Sequence, residues 1–160
     1  MRKEWATYLK LALEKLLTDE ATLAKMSFRV IENVLKFKKQ SEELISRVFL
    51  EKEDHDNFKL ALREALEHSL NLNSNQSAEF MAKYLDMHLK KSPASNSLES
   101  EQDLRVVIAD VINVFRYVKS KDVFEEFYAR SLSRRLLLKK SANREAEQLM
   151  ITELKTECGD

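Results

Sequence analysis

Six basic residues near the C-terminal end of the chain have the types and spacing that could bind an anion. Between positions 130 and 144 the sequence has no acidic residue and these six cations: Arg130, Arg134, Arg135, Lys139, Lys140 and Arg144. Such a run can bind phosphate groups or an acidic protein segment. It lacks aromatic residues on which bases could stack, which argues against single-stranded nucleic acid. The alternative is that these side chains only solvate one side of an amphipathic helix.

Histidine and cysteine give no pattern typical of a metal site or a nucleophile. The three histidines are His55, His68 and His88. A di-iron site in a helical bundle needs Glu-x-x-His pairs, but alanine and leucine stand three residues before the last two. Cys158 lies beside Glu157 and Asp160, whose negative charges are expected to raise the thiol pKa. We therefore expect no catalytic residue, no metal site and no cofactor, and we interpret the chain as a non-enzyme.

The composition restricts the elements that could position the basic run. Of 160 residues, 44% are hydrophobic and 34% are charged, while Gly159 and Pro93 are the single glycine and proline. Sheets and barrels need frequent turn residues, and a phosphate-binding loop needs several glycines. The composition therefore predicts an all-α protein with polar connections.

Charge and cysteine usage indicate the environment. Lys plus Arg and Asp plus Glu each number 27, so the net charge is zero and gives no reason to expect nucleic acid or an anionic membrane as partner. No apolar run approaches the roughly 18 residues of a transmembrane helix, and the N-terminus is unlike a signal peptide. A single cysteine fits a reducing compartment. We expect a location in the cytoplasm, the nucleus or both.

Apolar residues recur at three and four positions and predict seven helices. The pattern places helices over about 3–17 and 24–50, a third ending near 70, and a fourth capped by Ser77. A fifth carries apolar residues from 104 to 118, a sixth follows a capping box of Asp122 and Glu125, and a seventh ends at Gly159. The segments 51–56, 71–76 and 92–97 are predicted connections.

The segment 120–137 resembles the cullin family. That family's pattern is Lys-Asp-x-Phe, an aromatic pair and then Leu-Ala-Lys-Arg-Leu. Here the corresponding residues are Lys121, Asp122 and Phe124, the pair Phe127 and Tyr128, and the run Leu132-Ser133-Arg134-Arg135-Leu136. Residues 79–91 and the ending Glu157-Cys158-Gly159 also fit the family in the expected order. The resemblance covers about 125 residues well and the first 30 loosely.

The resemblance implies an elongated cullin-repeat-like bundle of about six to seven helices. Residues 1–119 are similar to the last repeat of the N-terminal stalk, and residues 120–160 to the start of the C-terminal four-helix bundle. It further implies a non-catalytic scaffold of a cullin-RING ubiquitin ligase, whose partners are a RING protein, a substrate adaptor and a conjugating enzyme. The main adaptor-binding and RING-binding regions are not in this sequence, so we expect a central fragment. The alternative is a stand-alone helical interaction module without a ligase role.

The family motif supplies the candidate site. We expect Phe124, Phe127, Tyr128, Leu132 and Leu136 to form the core seam that joins stalk to bundle, with Asp122 and Arg135 in the same motif. Full burial of Phe127 would make its truncation to alanine cost about 3–5 kcal/mol. Arg130, Arg134, Lys139 and Lys140 are candidate contacts for an acidic partner, such as a segment of the conjugating enzyme. Arg135 could instead form an internal ion pair with Glu145 or Glu147.

Overall fold

The computed structural model describes residues 2–18, 27–49, 51–91 and 101–159, and within these ranges the fold is all-α, as predicted. The described ranges contain seven helices: α1 (Arg2–Thr18), α2 (Ser27–Val48), α3 (Lys52–Leu72), α4 (Ser74–Leu89), α5 (Glu101–Phe115), α6 (Lys121–Leu137) and α7 (Arg144–Cys158). An isolated antiparallel bridge joins Lys90 to Ser141. The predicted linker 92–97 lies outside the described residues.

The N-terminal part of the molecule is held by apolar packing of α1 along α3. Leu9 and Leu13, one helical turn apart, are fully buried on the inner face of α1. At the edge of this contact the ring of Phe58 stacks on Phe49 at 3.8 Å and meets Trp5 at 6.1 Å, edge to face. These rings close one end of the core.

Helix α2 is continuous through the polar stretch at its centre. Its buried seam follows Val34, Ser41 and Ile45, so a serine occupies a position where the apolar pattern appears interrupted. The three-and-four spacing would also place Leu44 and Val48 on this seam, but their side chains are 46% and 57% exposed. Positions 24–26 and 50 of the predicted helix lie outside the described residues.

The connections around α3 are shorter than predicted. Helix α3 begins at Lys52, so most of the acidic cluster 51–56 is helical rather than a connection. Helices α3 and α4 are separated only by Asn73, whose side chain caps α4 by accepting from the Gln76 N–H at 3.3 Å. The prediction that Ser77 caps this helix was wrong. Ser77 is buried inside it, and its hydroxyl donates to the Leu70 carbonyl at 2.8 Å.

Helix α4 is the central element of the fold. It packs against α2, α5 and α6, and its inner residues Met81, Leu85 and Leu89 are almost completely buried. Helix α6 runs along α4, and α7 packs against α5. Gly159 ends α7 with a positive φ of 73°, as predicted for a helix stop. The motif helix α6 therefore packs mainly along the central helix α4.

Candidate functional site

The connection that leads into α6 is fixed to the junction of α3 and α4. The Asn71 side chain donates to the Tyr117 carbonyl at 2.7 Å and accepts from the Lys119 N–H at 2.9 Å. The Ser120 N–H donates to the Ser74 hydroxyl at 2.9 Å. Three backbone groups just before α6 thus have side-chain partners from residues some 45 positions earlier. These bonds set where α6 begins and how it is directed.

The predicted capping box at the start of α6 was wrong. The N-cap is Ser120, and its hydroxyl donates to the Asn75 side chain at 2.7 Å instead of capping the helix. Asp122 is exposed in the first turn, where its charge favours the positive end of the helix dipole. Glu125, three residues later, is also exposed. The helix begins too early for the Asp122 side chain to reach a free backbone N–H as an N-cap.

Aromatic rings fill the inner face of the first half of α6. Phe124 is fully buried, with its ring centroid 4.6 Å from that of Phe115 at the end of α5. One turn later the ring of Tyr128 lies parallel to that of Phe124 at 6.0 Å. Phe127 is only half-buried, and the Arg130 guanidinium lies 5.7 Å from its ring centroid. The rings of Phe124 and Tyr128 therefore form the apolar part of the joint.

The second half of α6 departs from the predicted seam. Leu132 is half-buried, and Leu136 is 53% exposed, so the prediction that Leu136 belongs to the core was wrong. The inward position in the last turn is occupied by Arg135, and each residue of a helix is rotated by about 100° from its neighbour. A buried Arg135 thus turns Leu136 toward the surface.

Arg135 is the centre of a buried hydrogen-bonded ion-pair network. Its side chain is 2% exposed and that of Glu147 is 5% exposed. Arg135 donates through Nε and one terminal nitrogen to the two Glu147 oxygens at 2.7 and 2.8 Å, and through the other terminal nitrogen to Asp86. The hydroxyls of Ser141 and Tyr128 donate to Glu147 at 3.0 and 3.2 Å. The network connects α4, α6 and α7. Of the two internal partners considered for Arg135, Glu147 is therefore the one that forms the ion pair.

Hydrogen bonds keep Arg135 charged, and burial keeps Tyr128 neutral. Burial lowers the pKa of Arg135, but hydrogen bonds to Glu147 and Asp86 outweigh burial and hold that pKa above its ordinary value. Burial, followed by the Glu147 charge, raises the pKa of Tyr128. Tyr128 therefore stays a neutral hydrogen-bond donor, and Arg135 stays a cation, across the physiological range.

The predicted basic residues fall into separate environments. Arg135 is buried, and Arg130 forms an exposed i,i+4 ion pair with Glu126 at 2.7 Å. Arg134, Lys139 and Lys140 are exposed at the end of α6. The run is thus not one continuous cationic face, because two of its members are neutralised by carboxylates.

Three functional residues escaped the sequence analysis or were read only as connections: Asn71, Asp86 and Ser141. The first was assigned to a polar break, although its side chain holds the Tyr117–Lys119 segment. Asp86 directly follows the fully buried Leu85 in the sequence. An acidic residue next to a buried apolar position is a signal that could have indicated a polar contact inside the fold. The partner of Asp86 could not have been predicted, because Arg135 lies 49 residues later and the pairing leaves no pattern in the local sequence.

Cys158 lies in a groove between α6 and α7. The groove has a volume of about 390 Å³, and its apolar lining includes Tyr128, Leu132, Ile151 and Leu154. Burial and a hydrogen bond to Glu125 raise the pKa of Cys158 to about 11, in the direction expected. The main cause differs from the prediction: burial raises the pKa more than the neighbouring charge of Glu157 does. The thiol is protonated near neutral pH and therefore a poor nucleophile.

Two further classes of site were searched over the described ranges. In that part of the chain no group of three or more His, Cys, Asp or Glu residues is arranged to hold a metal ion. None of the helices described is both long enough and apolar enough to cross a membrane. The geometry around α6 is that of a structural joint between helices.

Comparison with known proteins extends this description. The family model described as "Cullin alpha solenoid domain" matches residues 1–160. Cullin-4 of Dictyostelium discoideum is 35% identical over 99% of this chain and 19% of its own length, and Cullin-4 of Caenorhabditis elegans is 32% identical over 99% and 18%. Cullin-3 of Dictyostelium discoideum is 30% identical over 99% of this chain and 20% of its own length. The chain thus spans about a fifth of these relatives.

Proposed function

The chain belongs to the cullin family, and from that premise we propose that it is a non-catalytic scaffold segment of a cullin-RING ubiquitin ligase. In this role it holds a substrate adaptor at one end and a RING protein with its conjugating enzyme at the other. A scaffold raises the effective concentration of a substrate lysine near the reactive thioester, and it does so only while the two ends keep their relative position. The family match along all 160 residues is the observation that carries the proposal.

The construction of the joint supports a positional role. Helix α6 is attached through Ser120 to the α3–α4 junction, through Phe124 to α5, and through Arg135 to α4 and α7. A helix held near both of its ends resists rotation about its axis. Such a helix transmits the direction of one group of helices to the next.

The same proposal divides the chain at the joint. Residues 1–119 form the last cullin-like repeat, and residues 120–160 open a second helical bundle. The apolar groove between α6 and α7 supports this division, because an uncovered apolar groove leaves a surface on which further helices of a bundle can pack. The division is tested by NMR contacts, in the isotope-labelled full-length protein, between residues of this groove and residues beyond 160. An uncovered groove in the full-length protein would contradict it.

The ligase role is tested by isolating the endogenous protein that carries this sequence together with its partners. The proposal predicts a much longer polypeptide that copurifies with a RING protein and a substrate adaptor. A protein that lacks a RING partner would contradict the ligase role and favour the alternative, a stand-alone helical interaction module with a cullin-like fold.

The positional role is tested separately in the full-length assembly. Replacing the network residues together, Arg135→Met with Glu147→Leu, keeps the site filled but removes its directional hydrogen bonds. We expect ubiquitin transfer to fall while binding of the RING protein and the adaptor is retained. The control is Glu43→Gln, which removes an exposed ion pair with Arg47 on α2. Equal transfer by the network variant, the control and the wild type would contradict the role.

A further inference from the structure

A groove between α2 and α3 lies outside the ion-pair network of the joint, since none of the network residues lines it. It is open to solvent, and its volume of about 380 Å³ falls within the range of roughly 300–1,000 Å³ found for ligand sites. We call it the α2–α3 groove. Its lining consists of Lys38, Glu42, Lys59, Leu60, Leu62, Arg63, Leu66 and Tyr117.

The floor of the α2–α3 groove is apolar. Leu62 and Leu66, one turn apart on α3, are almost completely buried, while Leu60 at the rim is 42% exposed. The half-buried Tyr117, from the connection between α5 and α6, adds an aromatic side chain to the lining. Its backbone is held in place, because the Asn71 side chain donates to its carbonyl at 2.7 Å. The groove is therefore a preformed recess for an apolar group.

The α3 wall of the groove carries two positive charges. Lys59 and Arg63 are four residues apart on α3, and both are exposed. Like charges at this spacing on a helix repel each other. Among the described residues neither side chain forms an ion pair. The carboxylate of Glu67, one turn beyond Arg63, lines a different groove. An anion placed between the two cations would relieve their repulsion.

The α2 wall differs in charge from the α3 wall. Lys38 pairs with Glu42, one turn further along α2, at 2.7 Å between Nζ and Oε1. Its side chain is only 17% exposed, so this lysine is neutralised where it lies. One wall of the groove is thus positive and the other is close to neutral. A ligand that fits this pattern has an apolar group for the floor and negative charge on the side of α3.

We propose that the α2–α3 groove binds an acidic segment of a partner protein through one large apolar side chain. That side chain would lie on Leu62 and Leu66 beside Tyr117, and flanking carboxylates would meet Lys59 and Arg63. A buried apolar anchor within a polar rim is the usual construction of a protein contact. The inference goes beyond the scaffold role and does not depend on it.

Other classes of ligand fit the groove less well. A small organic anion would stay largely hydrated in a groove that is open to solvent, whereas a polypeptide continues along the two helices. A lipid surface needs an exposed apolar face, but here Leu60 is the exposed leucine at the rim and the other two leucines are recessed. Nucleic acid is disfavoured by the Glu42 carboxylate and by a lining with a single aromatic side chain.

The test uses the full-length protein and the peptide Glu-Glu-Phe-Glu-Glu as probe. Because an acidic peptide can also bind cations elsewhere, NMR of labelled leucine methyl groups locates the site, and the signals of Leu62 and Leu66 should shift. Lys59→Gln with Arg63→Gln, both at exposed positions, should weaken the peptide affinity read from these shifts about threefold or more at low salt, and less at high salt. The control is Lys3→Gln with Lys15→Gln on α1, which removes the same charge and should leave the affinity unchanged.

A matched peptide and a second variant test the apolar anchor. Glu-Glu-Ser-Glu-Glu should bind more weakly than the phenylalanine peptide, and Leu60→Ser should weaken binding of the phenylalanine peptide alone. Unmoved methyl signals, equal affinities of the two peptides, or full binding by the double glutamine variant would overturn the proposal. Equal shifts with phenylacetate at the same concentration would overturn it in favour of a small anion, and tighter binding to phosphatidylserine vesicles in favour of a membrane. Failure of Lys59 to react with an amine reagent would also overturn it, because another part of the protein would then cover the groove.

Discussion

The contact of α1 with α3 and the joint around α6 stabilise the chain by different means. The first is apolar, built on Leu9, Leu13 and the ring of Phe58, and its cross-helix ion pair is exposed and loose, with 3.9 Å between Arg2 and Glu64. The second has a comparable apolar part but adds the buried ion pair of Arg135 and Glu147. Apolar contacts are non-directional, whereas a bidentate ion pair fixes the angle between its partners.

The difference indicates what each region is built to do. Buried ion pairs contribute little net stability compared with well-packed apolar residues, because desolvation offsets their attraction. Their presence at the joint is therefore better explained by orientation than by stability, which is a hypothesis for this protein. The N-terminal contact only has to keep α1 and α3 together, whereas the joint also has to fix the angle between its helices. Four predictions, three from substitutions and one from a titration, sharpen or break this contrast.

The largest effect is expected for Glu147→Ala. It leaves the Arg135 charge buried with only Asp86 as a partner, and breaking a buried pair costs about 3–5 kcal/mol. The matched change at an exposed pair, Glu43→Ala, should cost less than about 1 kcal/mol. Urea unfolding measures both free energies. Similar losses for the two variants would show that the network has no special role.

The next effect concerns the two phenylalanines of the motif. Phe124→Ala removes a fully buried ring and should cost about 3 kcal/mol, while Phe127→Ala should cost about half as much because Phe127 is only half-buried. This replaces the larger loss expected for Phe127 on the assumption of full burial. Thermal and urea unfolding measure the loss of stability in the two variants. A larger loss for Phe127→Ala than for Phe124→Ala would contradict the assignment of Phe124 to the core.

A smaller effect is expected at the α3–α4 junction. Asn71→Ala removes the partner of two backbone groups, the Tyr117 carbonyl and the Lys119 N–H, and should cost about 2 kcal/mol. Asn113→Ala, on the exposed side of α5, is the control and should change stability by less than about 0.5 kcal/mol. A loss at Asn71 no larger than at Asn113 would mean that water replaces the lost bonds without cost.

The smallest effect is the alkaline titration of Cys158. Its pKa in the folded chain is about 11, above the usual 9.0, so the folded state holds the proton more tightly. The associated stability is complete below pH 9 and is lost as the pH rises through 11. The raised pKa of Tyr128 acts in the same direction, above pH 10. Alkylation by iodoacetamide should reach half its maximal rate near pH 11 in the folded chain.

Two controls accompany the cysteine titration. The urea-unfolded chain should give a midpoint near the ordinary value of 9.0. Glu125→Gln should lower the folded midpoint but keep it above 9, because burial is the larger cause of the shift. Equal midpoints in the folded and unfolded chains would contradict the burial of the thiol.

Sequence patterns predicted the helices better than their joints. The scarcity of glycine and proline and the three-and-four spacing predicted the all-α fold, and buried positions such as Phe124 and Tyr128 followed from a recognisable motif. The short connection at Asn73 was hidden, because its polar neighbours are also typical of a longer linker. The exposure of Leu136 was hidden too, since it depends on a buried Arg135 whose partners come from α4 and α7. Local patterns cannot supply such distant pairings.

The central claim is that the Arg135 network fixes the angle at the joint, and a distance distribution tests it most directly. Spin labels at Lys59→Cys on α3 and Gln148→Cys on α7, in a Cys158→Ser background, report that angle by electron–electron double resonance. The account predicts one narrow distance for the native network and a broader distribution for Arg135→Met with Glu147→Leu, although that variant stays folded. An equally narrow distribution at the same distance in both would contradict the claim.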